Sequence, residues 1–100
     1  MITFSTDRIT ALVADEIRDK IVALFENANT RVLIDLTGVG YIDSSGFGCF
    51  LSVYKAAKNN YGAVKFSSPE PRIKALFETL NLQTVFEIYG DSESCIKSFR

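Results

Sequence analysis

The sequence has no histidine, two cysteines and two prolines in 100 residues. Without imidazole there is no Ser-His-Asp or Cys-His nucleophile system, and the commonest metal ligand is missing. Cys49 and Cys95 stand 46 positions apart, outside any C-x-x-C pattern, so neither a thioredoxin-type redox pair nor a four-cysteine zinc site can be assembled. Both cysteines read as small buried hydrophobes, with a disulfide between them as the alternative. No apolar run approaches the roughly 20 residues that span a bilayer, and Met-Ile-Thr-Phe-Ser has neither the basic nor the apolar region of a leader. An excess of one charge is also lacking. Eleven Lys and Arg face twelve Asp and Glu, a net charge of −1, which gives no field to hold nucleic acid or an anionic membrane. These absences lead us to expect a cytoplasmic protein that is not an enzyme, carries no metal or cofactor, binds no nucleic acid and inserts in no membrane.

What is present is apolar residues at 47% of the chain, enough to build a core in one domain spanning 1–100. No repeat, low-complexity stretch or long Pro/Gly/Ser linker divides it. Ile2-Thr3-Phe4 reads as a short edge strand. From Ala11 to Asn27 the residues Val13, Ile17, Ile21, Leu24 and Phe25 form the stripe of an amphipathic helix, with Asp15, Glu16, Asp19 and Lys20 outside. Val32 to Leu36 is a nearly unbroken apolar run, as expected of a central parallel strand. Thr37 to Asp43 reads as a loop with a brief extended piece. A helix then starts with Ser44 or Ser45 at its N-cap and runs to about Asn59, with Phe47, Phe50, Leu51, Tyr54 and Ala57 inward. Strand Ala63–Phe66 follows, then a helix through Ile73, Leu76, Phe77 and Leu80. Strand Val85–Tyr89 and a last helix through Cys95, Ile96 and Phe99 complete the chain. Such alternation implies an α/β fold with a mostly parallel sheet, whose sites gather where chain leaves the carboxyl ends of the strands.

Asp35 to Gly48 lies at that edge and holds four of the six glycines. Three readings compete for it. In the first it is structural: a serine caps the helix, Asp43 complements its positive end, and Gly46 and Gly48 allow tight packing. In the second, glycines leading into a helix cradle a phosphate. Here neither G-x-x-x-x-G-K-[ST] nor G-x-G-x-x-G is met, and Asp43 would repel the anion. In the third, an exposed hydroxyl at the helix start is itself phosphorylated. The added charge of about −1.5 to −2 would suit the helix end but oppose a partner docked over it.

Asp35-Leu36-Thr37-Gly38-Val39, followed by Tyr41-Ile42-Asp43-Ser44-Ser45-Gly46-Phe47-Gly48, resembles the motif of bacterial anti-sigma factor antagonists in the STAS domain family. The helix at Ala14–Arg18, strand Val64–Phe66, helix Arg72–Phe77 and Leu80-Asn81-Leu82 follow in family order, so the resemblance covers nearly the whole chain. It implies a STAS-like domain: a mixed, mostly parallel sheet of four to five strands, flanked by about four helices, with the N-terminal strand shortened. It also implies a partner switch. The unphosphorylated protein would bind an anti-sigma factor that is also a serine-protein kinase; phosphorylation of Ser45 would release it, and a serine phosphatase would reset the system. Asp43, Ser44, Gly46, Phe47 and Gly48 would form the partner-facing motif, Gly46 and Gly48 keeping the helix start open, although the helical stripe also places Phe47 inward. The chain departs from the family at Asp7-Arg8-Ile9-Thr10, where a Gly-Glu-Leu-Asp segment is usual. An alternative is a STAS-type accessory subunit of a membrane transporter with no phosphoswitch.

Overall fold

The computed structural model describes residues 2–4 and 6–99. Its elements run β1 (Arg8–Ile9), α1 (Ala11–Leu24), β2 (Arg31–Asp35), β3 (Tyr41–Ile42), α2 (Ser44–Asn59), β4 (Ala63–Ser67), α3 (Pro71–Thr79), a 3₁₀ turn at Leu82–Thr84, β5 (Glu87–Tyr89) and α4 (Ser92–Ser98). Every strand pair among the described residues is parallel. Strands β2, β4 and β5 form one ladder in that order, with Val32 opposite Val64 and Phe66 opposite Ile88, while β1 and β3 form a second. The α/β, mostly parallel architecture with four helices is therefore present.

The strand expected at Ile2–Phe4 is reduced to one bridge. Ile2 donates its N–H to Leu33 O at 2.8 Å and accepts from Asp35 N–H at 2.8 Å. Strand β5 starts at Glu87 rather than Val85, because the 3₁₀ turn holds the preceding backbone: Val85 and Phe86 both donate to Leu82 O. Helix α1 stops at Leu24, short of Asn27.

Alternation along the strands divides the sheet between two layers. Val32, Ile34, Val64 and Phe66 enter the main core with α1, α2 and α3. That core is aromatic at its centre, with Phe66 5.0 Å from both Phe50 and Phe86, and Phe47 edge-on to Phe77 at 5.3 Å. Its stripes differ in detail from the helical pattern. In α2, Val53 is buried and Leu51 is 39% exposed; Leu80 and Ile96 are likewise exposed. The opposite face, carrying Leu33, Lys65 and Ser67, packs against α4 and Cys95. Both cysteines are buried free thiols.

Lys65, on that second face, is 9% exposed. Its ammonium donates to Ser98 O at 3.2 Å and Ser98 Oγ at 3.0 Å, pairs with Glu87 at 3.3 Å and lies 4.6 Å from the Phe99 ring centroid. Arg31 on the neighbouring strand donates to Phe99 O. Two cations thus meet the carbonyl end of α4, where the helix dipole is negative.

Candidate functional site

The segment leaving β2 is shaped by short-range hydrogen bonds. Asp35 Oδ1 accepts from the Thr37 N–H at 3.0 Å and from Thr37 Oγ1 at 2.7 Å, closing a side-chain turn. Gly38 follows with φ +83°, where a β-carbon would be strained, and donates its N–H to Glu70 Oε1 at 3.2 Å. The chain then runs alongside Asp7, whose carbonyl accepts from Gly40 N–H at 2.8 Å and Tyr41 N–H at 3.2 Å. This pairing makes β1 and β3, so the Asp7–Thr10 segment forms part of the wall beside the site.

Asp43 joins that wall to two helices. It is the N-cap of α2: its backbone is extended (φ −93°) and Oδ1 accepts from the Gly46 N–H at 2.9 Å. The expectation of Ser44 or Ser45 as cap is corrected, since both already lie inside the helix at its first two positions. The carboxylate wins the capping position because it is the first residue before helical backbone and carries full charge at the positive helix end. Its other oxygen, Oδ2, accepts from the Ala11 N–H at 3.2 Å, at the first residue of α1. One carboxylate therefore satisfies orphan donors of both helix starts, which Thr10, the α1 N-cap, does not do through its own side chain.

The motif divides into buried and open residues. Gly46 and Phe47 are buried; Ser44, Ser45 and Gly48 are exposed, and Asp43 is half-buried. A β-carbon on Gly46 would fall 2.6 Å from Ile42 Cγ2 and 2.7 Å from Ile9 O, so this glycine lets α2 lie against β1 and β3. The expectation that Gly46 keeps the helix start open to a partner is corrected: its missing side chain faces inward. Phe47 stands with the core, as the helical stripe placed it, and its place in a partner-facing motif is corrected by its burial against Phe77. Gly48 is different. A β-carbon there would meet nothing within 4 Å, leaving bare helix surface one turn beyond Ser45.

Beside Asp43 opens a recess of about 600 Å³ lined by Thr6, Arg8, Thr10, Leu12, Tyr41 and others. Leu12 is 94% exposed, Tyr41 is also exposed, and the Arg8 guanidinium stacks over the Tyr41 ring at 5.0 Å. Sequence reasoning missed these residues as site candidates. Leu12 carried a signal, being a large apolar side chain one position ahead of the α1 stripe; the pairing that brings Tyr41 beside it had none.

The site is thus an exposed Ser-Ser pair opening a helix of a parallel α/β domain, capped from outside by an aspartate. The model of the STAS domain family matches residues 2–95, and the chain belongs to that family. It is 32% identical over 85 residues to the anti-sigma-B factor antagonist of Bacillus subtilis, covering 84% of this chain and 76% of that one. It is 27% identical over 85 residues to the protein of the same name from Listeria monocytogenes, covering 85% and 75%. The solved anti-sigma-factor antagonist (STAS) domain protein of Planctomyces limnophilus superposes with a TM-score of 0.87 at 22% identity, over 97% of this chain and 86% of that one. The phosphorylated form of the Bacillus cell fate determinant SpoIIAA gives a TM-score of 0.69 at 23% identity, over 93% and 84%. Among the described residues no helix is long and apolar enough to cross a membrane.

Proposed function

We propose that this chain is an anti-sigma factor antagonist that works by partner switching, with Ser45 as its phosphoacceptor. The unmodified protein binds an anti-sigma factor that is also a serine-protein kinase, freeing whatever that regulator holds. The kinase then transfers a phosphoryl group from ATP to Ser45 Oγ, forming the O–P bond as ADP leaves, and the complex separates. A serine phosphatase hydrolyses the ester and restores the binding form. The chain acts in the cytoplasm as one STAS unit; it is substrate and switch, with no catalysis of its own.

The observation that carries this reading is the division of labour at the start of α2. Asp43 supplies the cap, so the exposed Ser45 hydroxyl at the second helical position is not committed to holding the helix. Ser45 is the second hydroxyl of the Asp-Ser-Ser-Gly segment, the position whose phosphorylation the family resemblance implies. A phosphate there meets backbone N–H groups and the positive helix end, which the fold tolerates. Toward a docked partner the same group adds about −1.5 to −2 charges beside Asp43, and its burial in a complex costs desolvation. Ser44 borders the acceptor, Gly48 leaves helix surface bare for close approach, and the recess at Leu12 and Tyr41 offers an apolar anchor alongside.

Incubation with the cognate kinase and ATP, followed by site mapping, tests the assignment. Wild type and Ser44→Ala should be phosphorylated, and Ser45→Ala should not. Labelling of Ser45→Ala to the wild-type extent would overturn it. Recovery of a membrane transporter instead of a kinase-like regulator, when the protein is purified with its native partners, would favour the accessory-subunit alternative.

A further inference from the structure

Helix α1 carries more apolar surface than the core uses. Ala14, Ile21 and the following Phe25 are buried, but Val13 and Ile17 are only half-buried and Leu24 is 45% exposed. These side chains line a recess of about 480 Å³ between α1 and the N-terminal segment, floored by Ile2 and Phe4. Glu16 and Lys20 border the same recess, their charged groups 3.0 Å apart and both exposed.

We propose that this face is a homodimer interface, in which two copies pack α1 against α1 in antiparallel fashion across a two-fold axis that crosses the recess at the level of residue 18. The charge pattern selects a second copy as the occupant. Glu16 and Lys20 lie symmetrically about Arg18, so reversing the direction of one helix sets Glu16 of each copy against Lys20 of the other. A parallel arrangement would set like charge on like. The apolar residues obey the same symmetry. Val13 and Leu24 sit at opposite ends of the recess, and the antiparallel helix brings each exposed Leu24 to the Val13 end of its partner's recess. This is the self-complementarity that an isologous contact requires. With 14 residues, α1 is about 21 Å long at 1.5 Å per residue, a contact of a few helical turns. The association is concentration-dependent, and it is independent of the reading of Ser45.

Sedimentation equilibrium on the full chain from about 1 µM to 1 mM, a range chosen to bracket weak dimers, tests the proposal. The average mass should rise toward that of two chains. Glu16→Lys and Lys20→Glu should each weaken association about tenfold or more by placing four like charges together. Both positions are exposed, and unchanged circular dichroism and melting would show that the fold persists. A one-to-one mixture of the two variants should regain dimer, as should the Glu16→Lys/Lys20→Glu double variant. A monomer at every concentration would overturn the proposal, including the case in which the groove serves a different protein. Dimers indifferent to both single reversals, or variants that fail to complement on mixing, would also overturn it.

Discussion

At Asp43 the two carboxylate oxygens serve different helices, Oδ1 the Gly46 N–H of α2 and Oδ2 the Ala11 N–H of α1. Asparagine has a single acceptor oxygen, so Asp43→Asn can keep one of these bonds, whereas Asp43→Ala keeps neither. Chemical denaturation should show a loss of about 1–3 kcal/mol for alanine and roughly half of that for asparagine. Equal losses would mean that only one of the bonds matters. The glycines separate in the same assay. Gly46→Ala should destabilise by about 1–3 kcal/mol because its β-carbon collides with Ile42 and Ile9, while Gly48→Ala, in open space, should be neutral or stabilise by up to about 1 kcal/mol. Burial also pushes the Cys49 thiol from 9.0 up to about 11. The folded state thus holds that proton more tightly than the unfolded chain. The stability this confers is intact below about pH 9 and is lost as pH rises toward 11. Denaturation at pH 8 and 10.5 should show a smaller alkaline loss for Cys49→Val than for wild type. The motif itself was legible residue by residue, because Asp, Ser and Gly at a helix start are local chemistry. Which glycine faced inward, and that Asp43 also serves α1, were not, since these depend on Ile9 and Ala11, more than thirty positions away in the chain.

Elements with a clear period were read well, and those without one were not. The stripes of α1 and α2 span several turns, and β2 and β4 are runs of five residues, so pattern alone located them. Strands β1 and β3 have two residues each, too few to show alternation, and they exist through mutual pairing; the sequence offered only a brief extended piece somewhere within Thr37 to Asp43. Leu51 fitted the helical spacing but points away, and Val53 takes its place because the sheet lies to one side of the stripe. Lys65 was the least legible. In a strand its neighbours Val64 and Phe66 mark one face as core, yet the second face is covered as well, by α4, and the ammonium is absorbed by Ser98, Glu87 and Phe99. Replacing it with Lys65→Met should release that clamp. Amide exchange in α4 should accelerate about tenfold or more while α2 stays protected, as expected from losing the two charge-assisted hydrogen bonds to Ser98. Unchanged α4 exchange would assign the helix's stability to Cys95 and its neighbours alone.

For the whole molecule, the two faces of α2 separate structural from exposed chemistry. Aromatic packing between Phe47, Phe66, Phe77 and Phe86 fixes α2 from below, so its first turn is presented on a rigid support rather than on a mobile loop. With a net charge of −1, a phosphoryl group at Ser45 roughly triples the charge of the molecule and concentrates the change at one edge. The cap at Asp43 and the buried contacts of Gly46 and Phe47 do not use the Ser45 hydroxyl, so the partner-switching reading expects phosphorylation there to change binding far more than folding. The direct measurement is isothermal titration of the cognate anti-sigma factor with Ser45-phosphorylated and unphosphorylated protein, with thermal melts of both forms alongside. The partner-switching account predicts that phosphorylation weakens binding about a hundredfold or more, the cost of burying an opposed charge at an interface, while the melting midpoint shifts by only a few degrees. Equal affinity of the two forms would contradict it.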